Sequence, residues 1–86
     1  MKYQIVWKPQ AVDDVKGLDK RFQKQIVEKI TSIVVKPERF LDYIKKYRVH
    51  KLRAGDYRIF IDLDHKEKTI EVLTVRHRKN AYKRAN

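Results

Sequence analysis

The basic and phenolic side chains in the second half of the chain could together carry out chemistry. Side chains two residues apart in a β-strand point to the same face. A phosphate group bound on such a face would meet planar guanidinium groups that match its oxygens, and amino or phenol groups that exchange protons. The candidate catalytic residues are Lys51, Arg53, Arg58, Arg76, Arg78 and Tyr82.

Cleavage of RNA without a metal ion requires an acid, a base and positive charge. The base takes the proton of the 2′-hydroxyl, the acid protonates the leaving 5′-oxygen, and cations stabilise the charge that builds on the phosphate. Neighbouring cations favour the deprotonated forms of lysine and tyrosine, so Lys51 and Tyr82 are candidates for the base. The remaining basic side chains nearby are expected to bind substrate. They are Lys45, Lys46, Arg48, His50, His77 and Lys79.

Each of these residues, taken alone, also has an ordinary structural explanation. Arg58 could pair with Asp62, which shares its face of the predicted strand. Lys51 and Arg53 could form a charged edge that discourages aggregation. Tyr82 could close the end of the chain onto the sheet. The combination, rather than any single residue, favours a site for a phosphate backbone.

The charge of the chain supports a polyanionic partner. The 86 residues include 22 Lys and Arg against 11 Asp and Glu, a formal net charge of +11. Residues 44–86 alone hold 13 basic and 5 acidic side chains, a net charge of +8. A field of this sign attracts polyanions and speeds their encounter. Nucleic acid or an acidic protein is therefore the expected partner.

Several other classes of function fit the sequence poorly. The chain has no cysteine, its three histidines lack zinc-site spacing, and it contains no glycine-rich phosphate loop. We therefore expect no metal and no cofactor. The opening stretch MKYQIVWKPQ has no long apolar run, which predicts a cytoplasmic protein with no membrane partner.

The first half of the sequence predicts one strand and two helices. Tyr3, Ile5 and Trp7 alternate with other residues as in a strand. A helix should begin near Pro9, carry Asp13 and Asp14 near its positive end, and stop at Gly17. The second helix has apolar residues at helical spacing, and Lys36-Pro37 should end it. Its apolar stripe is Phe22, Ile26, Ile30 and Ile33, widened by Val27 and Val34.

The second half predicts three antiparallel strands after a connector at 37–41. They cover 44–53, 57–64 and 69–76, with turns at 54–56 and 65–68 and a short helix or frayed end over 79–86. The result is one α+β domain over residues 1–86 with element order β-α-α-β-β-β. Its helices would lie on one face of a mostly antiparallel sheet, which leaves the opposite face for function.

Two stretches resemble motifs of the RelE/ParE superfamily of type II toxins. The two motifs are specific for the superfamily when they occur together and weak when taken apart. KLRAGDYRI at 51–59 resembles the hairpin K-L-x-x-G-x-Y-R-V/I, and VRHRKNAY at 75–82 resembles the ending V-G-H-R-x-x-V-Y. The resemblance covers nearly the whole chain and implies a RelE-like fold. The family positions fall on Lys51, Arg53, Arg58, Arg78 and Tyr82, with Arg76 a competing match for the last arginine. The sequence departs from the family at Arg76, where glycine is common, and at Val49, where a second lysine is common.

The resemblance to the RelE branch implies a ribosome-dependent, metal-independent mRNA endonuclease that acts in the ribosomal A site and inhibits translation. Its products would carry a 2′,3′-cyclic phosphate, with lysine and the final tyrosine as the acid and base and arginines holding the phosphate. His50 or His77 could transfer the proton instead, as in members with a histidine site. A RelB-like antitoxin is the implied protein partner. The alternatives are a ParE-like inhibitor of DNA gyrase and a non-catalytic nucleic-acid-binding domain.

Overall fold

The structure, a computed structural model, describes residues 2–81. One five-stranded sheet and two helices account for most of this range. Single 3₁₀ turns occupy Pro37–Arg39 and Arg78–Asn80. The elements are β1 (Gln4–Trp7), α1 (Pro9–Lys16), α2 (Lys20–Ser32), β2 (Asp42–Ile44), β3 (Val49–Ala54), β4 (Tyr57–Asp64) and β5 (Thr69–His77).

The strands lie in the order β1-β5-β4-β3-β2. β1 runs parallel to β5, and the other neighbouring strands are antiparallel. Both helices pack on one face of the sheet, and we call the opposite side the open face. The predicted α+β class, with helices on one side of a mostly antiparallel sheet, is confirmed.

The strand predicted over 44–53 is two strands, so the antiparallel part has four strands rather than three. A four-residue loop, Lys45–Arg48, reverses the chain between Ile44 and Val49. The N–H of Tyr47 donates to the carbonyl of Ile44 at 3.1 Å, and Arg48 adopts a left-handed conformation with φ of 54°. Gly or Asn usually marks such a position. Because Arg48 fills it here, no turn signal is readable in this stretch of sequence.

The helices begin largely as predicted, but the second ends early. Gly17 caps α1 as expected. Asp19 caps α2, and its carboxylate accepts the N–H of Arg21 at 3.1 Å. The helix then stops at Ser32, four residues before Lys36. The β-branched run after Ser32 is a poor helix former, and the carbonyl of Val34 accepts the N–H of Tyr3 at 2.7 Å.

The core lies between the helices and one face of the sheet. Alternate residues of the sheet strands point into it and meet the apolar stripe of α2. Val27, predicted to widen that stripe, is instead 45% exposed. The fully buried large side chains are Ile26, Ile30, Ile33, Leu52, Ile59, Ile61, Ile70, Val72 and Pro37.

Alanine substitution at the two glycines should have opposite effects. Gly55, in the β3–β4 turn, has φ of +58°, and a Cβ there would lie 2.5 Å from the Gln25 amide nitrogen. Gly55→Ala should therefore cost about 1–3 kcal/mol of unfolding free energy. Gly17 has φ of −77° and room for a Cβ, so Gly17→Ala should be neutral or stabilise by up to about 1 kcal/mol. Urea denaturation measures both free energies of unfolding. Equal effects at the two positions would show that the left-handed conformation of Gly55 carries no penalty for alanine.

Candidate active site

Three arginines form a row across the open face of the sheet. Arg58 in β4 pairs with Arg53 in β3 on one side and with Arg76 in β5 on the other. Directly opposed residues point to the same face, with Cα atoms about 4.5–5.5 Å apart. We call Arg53, Arg58 and Arg76 the arginine row. Lys51 lies two residues before Arg53 on the same face, opposite Phe60.

The like charges of the arginine row repel one another, and directly opposed like charges normally destabilise a sheet. The guanidinium of Arg58 donates through one nitrogen to the carbonyls of Gly55 at 3.0 Å and Tyr57 at 3.1 Å. These bonds hold it against the β3–β4 turn. Among the described residues, no ion pair joins Arg58 to Asp62. The row is therefore a concentration of positive charge suited to an anion.

Arg78 lies at the same end of the sheet, just beyond β5. β5 ends at His77, and Arg78 begins a 3₁₀ turn. Its N–H donates to the carbonyl of Asp56 at 2.7 Å, and its Nε lies 3.7 Å from the Asp56 carboxylate. Arg78 therefore does not share a strand face with Arg76, although the turn keeps it near the row. Lys79 follows in the same turn.

A β-bulge in β5 determines which way Arg76 points. Ile70 and Val72 face the core, and strict alternation would turn Arg76 toward the helices as well. The pairing with β4 shifts by one residue between Phe60 and Ile61. Val75 faces the core after this shift, so Arg76 reaches the open face.

Asp14 of α1 bonds directly to this irregular part of β5. Its carboxylate accepts the hydroxyl of Thr74 at 2.7 Å and the N–H of Val75 at 2.9 Å. Asp14 was predicted only to favour the positive end of α1; it lies in the second half of that helix instead. The sequence signal for the bulge was the slip in apolar spacing from Ile70 and Val72 to Val75, which was missed.

Two of the predicted substrate-binding residues face the helices instead of the open face. His77 lies beside Tyr57, ring centroids 5.5 Å apart, and its Nδ1 accepts the N–H of Lys79 at 3.2 Å. Its neutral form therefore carries the proton on Nε2. His50 shares its face with Leu52, and its ring lies 5.1 Å from that of Tyr43. Neither imidazole lies among the arginines.

The β2–β3 loop lies at the opposite end of the sheet from the arginine row. Arg48 precedes Arg53 by five residues, which is about 16 Å along an extended strand. Lys45 and Lys46, in the same loop, therefore cannot contact an anion held by the row. Tyr82 lies outside the described residues.

The described residues provide neither a metal site nor a membrane span. Within 2–81, no three His, Asp or Glu side chains gather closely enough to hold a metal ion. Neither of the described helices is long and apolar enough to cross a membrane.

The fold is that of the RelE toxins. The structure superimposes on the Mycobacterium tuberculosis RelBE2 toxin–antitoxin complex with a TM-score of 0.83 at 22% identity, covering 90% of this chain and 99% of that chain. The match to the Pyrococcus horikoshii RelE–RelB complex has a TM-score of 0.77 at 24% identity and covers 94% of this chain and 100% of that chain. The match to the Methanococcus jannaschii RelB–RelE complex has a TM-score of 0.72 at 24% identity and covers 94% of this chain and 99% of that chain. At these identities the likeness establishes the fold.

The sequence assigns the family. Residues 5–82 match the family described as the ParE toxin of the type II toxin–antitoxin system, parDE. The chain belongs to this family, and the predicted relation to RelE/ParE-superfamily toxins is confirmed. It is a toxin of a type II toxin–antitoxin system with a RelE-like fold. No curated protein matches the sequence.

Removal of the Asp14 carboxylate should destabilise the fold. Asp14→Ala leaves the Val75 N–H and the Thr74 hydroxyl without their charged acceptor, a loss of about 1.5–3 kcal/mol. Asp13→Ala is the matched control, because Asp13 is the exposed neighbour on the same helix. Urea denaturation of both variants measures the difference. Equal stabilities would show that the two bonds contribute nothing.

His50 should make the protein less stable in mild acid. Burial lowers the pKa of His50 below its usual 6.5, nearby His65 lowers it further, and Asp62 opposes the shift. The unfolded chain then binds this proton more readily than the folded chain. The stability contributed at neutral pH is therefore lost as pH falls from about 6.5 through the folded-state pKa.

Thermal unfolding of the wild type and of His50→Gln, measured between pH 7.5 and pH 5.5, tests this effect. The wild type should lose more Tm over that range than the variant. An identical pH dependence would contradict it. His65→Gln should weaken the effect in part, because His65 is one of the groups that lower the His50 pKa.

Proposed function

We propose that this toxin is an mRNA endonuclease that acts on the ribosome and inhibits translation. The supporting observation is the arginine row, where Arg58 is flanked by an arginine on each neighbouring strand. Directly opposed like charges repel one another in a sheet, and a bound anionic substrate would relieve that repulsion. A phosphodiester over Arg58 would meet guanidinium groups from three strands at once.

In this proposal, the row binds the scissile phosphate and stabilises the charge that develops on it. The fork of Arg58 is oriented by the carbonyls of Gly55 and Tyr57 before substrate arrives, so little reorganisation is needed. The arginines supply the positive charge that a metal ion brings in other nucleases. Arg78 and Lys79 would contact the neighbouring phosphates.

Lys51 is the proposed acid–base group that the structure describes. It lies two residues from Arg53, about 7 Å between Cα atoms, and points to the same face. A lysine side chain spans that distance, so its amino group can approach an oxygen of a phosphate held by the row. Tyr82 is the proposed second group. The two histidines face the helices, so we assign them no proton transfer.

The ribosome is the proposed source of substrate orientation. The arginine row supplies positive charge from one face of the sheet, which stabilises a phosphate but does not by itself order a flexible RNA. A codon held in the ribosomal A site would arrive already ordered, which removes much of the entropic cost. The proposed place of action is therefore the cytoplasm.

A RelB-like antitoxin is the proposed protein partner. The three similar structures are all complexes of RelE-type toxins with their antitoxins. For this chain, an acidic antitoxin segment laid over the arginine row would neutralise its charge and block the phosphate site. An amphipathic helix of the antitoxin would cover apolar surface nearby.

Inhibition of DNA gyrase is the second candidate, and the family match favours it specifically because the matched family is described as ParE. In that case the arginine row would be a binding surface rather than a catalytic one. The RelE-like fold does not separate these functions.

Replacement of Arg58 should abolish cleavage without unfolding the protein. Primer extension on an mRNA with programmed ribosomes should show cuts within the A-site codon, and the fragments should end in 2′,3′-cyclic phosphate. Arg58→Ala should slow these cuts by about 10²–10³-fold, the range seen when one group that stabilises transition-state charge is removed. Arg58→Lys is the matched control: it keeps the charge but lacks the fork, and should retain intermediate activity.

Wild-type protein that arrests growth yet leaves the mRNA intact would reject the nuclease. Purified gyrase then provides the deciding assay. Loss of DNA supercoiling in the presence of the toxin would establish the second candidate. Full cleavage by Arg58→Ala would reject the arginine row as the site.

A further inference from the structure

Three large aromatic side chains are exposed within eight residues at the edge of the sheet. Phe40, Tyr43 and Tyr47 are 51%, 56% and 46% exposed. Single exposed aromatics are common on protein surfaces, but a cluster in one short segment marks an interaction site. We call residues 40–50, which contain β2, its loop and the start of β3, the tyrosine hairpin.

The tyrosine hairpin combines its aromatic rings with positive charge. Lys45, Lys46 and Arg48 occupy the loop, and Asp42 is the one acidic residue of the segment. The Lys46 ammonium lies 5.5 Å from the centre of the Tyr47 ring. A ligand of this surface therefore meets flat rings and cations at the same place.

The Tyr43 ring is supported from one side. His50, directly opposite on β3, lies 5.1 Å from it, with 57° between the ring planes. Burial favours the neutral imidazole. The strand pairing holds both rings in place before any ligand binds, which reduces the entropy lost on binding.

The charge pattern separates the candidate ligands. An apolar helix docked here would have to remove water from the loop lysines without offering them counter-charges. A nucleic acid offers phosphates to the cations and flat bases to the rings, and aromatic stacking on bases contributes to binding without regard to sequence. A duplex hides the faces of its bases, so the ligand must be single-stranded.

We infer that the tyrosine hairpin is a second RNA-binding site, at which bases of a single strand stack on Tyr43 and Tyr47 while the loop cations hold its phosphates. The loop lies about 16 Å from Arg53 along β3, and Tyr43, paired with His50, lies on the helix side of the sheet. The bound nucleotides would therefore lie around the sheet edge from the cleaved phosphate rather than contain it. The choice of RNA over DNA rests on the proposed function. Binding itself requires no cleavage.

Two fluorescent 12-mers distinguish stacking from charge. One is 2′-O-methyl oligouridine, which has no 2′-hydroxyl to attack its phosphate and so cannot be cut. The other is an abasic strand of the same length, which keeps the phosphates and lacks bases. Fluorescence anisotropy at low salt gives the Kd of each. The wild-type protein should bind the uridine strand about tenfold more tightly, as expected for stacking of one or two bases.

Matched variants test whether the tyrosine rings cause the tighter binding of the uridine strand. The double variant Tyr43→Leu/Tyr47→Leu keeps apolar bulk and should lose the preference for bases, with abasic binding unchanged. Tyr43→Phe/Tyr47→Phe keeps both rings and should retain it. Lys45→Gln/Lys46→Gln should weaken binding of both strands equally and reduce the salt dependence. Circular dichroism checks the fold of each.

Three results would overturn the inference: equal wild-type binding of the two strands, a preference that survives the leucine variant, or no binding of either strand. In the last case, a separate protein partner would be the remaining explanation of the aromatic cluster. None of these results bears on ribosomal cleavage, which the primer-extension assay measures independently.

Discussion

The two-residue alternation of β4 is the constraint on which the rest of the molecule depends. This central strand must supply Ile59 and Ile61 to the core, so Arg58 and Phe60 necessarily point to the open face. In an 86-residue chain most of the core must lie on one face of the sheet, although Phe60 is itself buried on the other. The alternation that turns apolar side chains toward the helices therefore also turns the arginines to the open face. A one-residue shift in the register of β4 would move both sets of side chains to the wrong face.

Groups of the β3–β4 turn hold the arginines at this end of the sheet in position. The Gly55 and Tyr57 carbonyls bond Arg58, and the Asp56 carboxylate lies near Arg78. Behind the turn, the Tyr57 ring contacts Phe22 of α2 and His77 of β5, with centroid distances of 5.4 and 5.5 Å. The turn is thus fixed to a helix and to a second strand, and the arginines extend from a rigid base.

Local patterns of sequence were sufficient for the fold class and for the shared face of Lys51, Arg53 and Arg58, because alternation and helical spacing are readable without tertiary contacts. The same patterns failed where a tertiary contact decides the outcome. The loop at 45–48 has a left-handed Arg48 in place of the glycine that would have revealed it. The role of Asp14 depends on Thr74 and Val75, about sixty residues away in the chain, and no local pattern connects them.

The candidate site shows the same division. That the basic residues form an anion-binding set stays a prediction, while Lys51, Arg53 and Arg58 lie on one face as their spacing predicts. The face of His50 followed from counting residues along β3. The faces of Arg76 and His77 did not follow from counting, because one extra residue in β5 reverses the count before both of them.

The parallel pairing of β1 with β5 has a consequence for how the protein is made. Gln4 pairs with Thr69, so the first strand synthesised waits for the last before it has a neighbour. Contacts so distant in sequence form slowly, because a long loop must close first. Arg76 also belongs to β5, so the arginine row is complete only when almost the whole chain is available. A partly synthesised chain therefore lacks both a finished sheet and a complete arginine row.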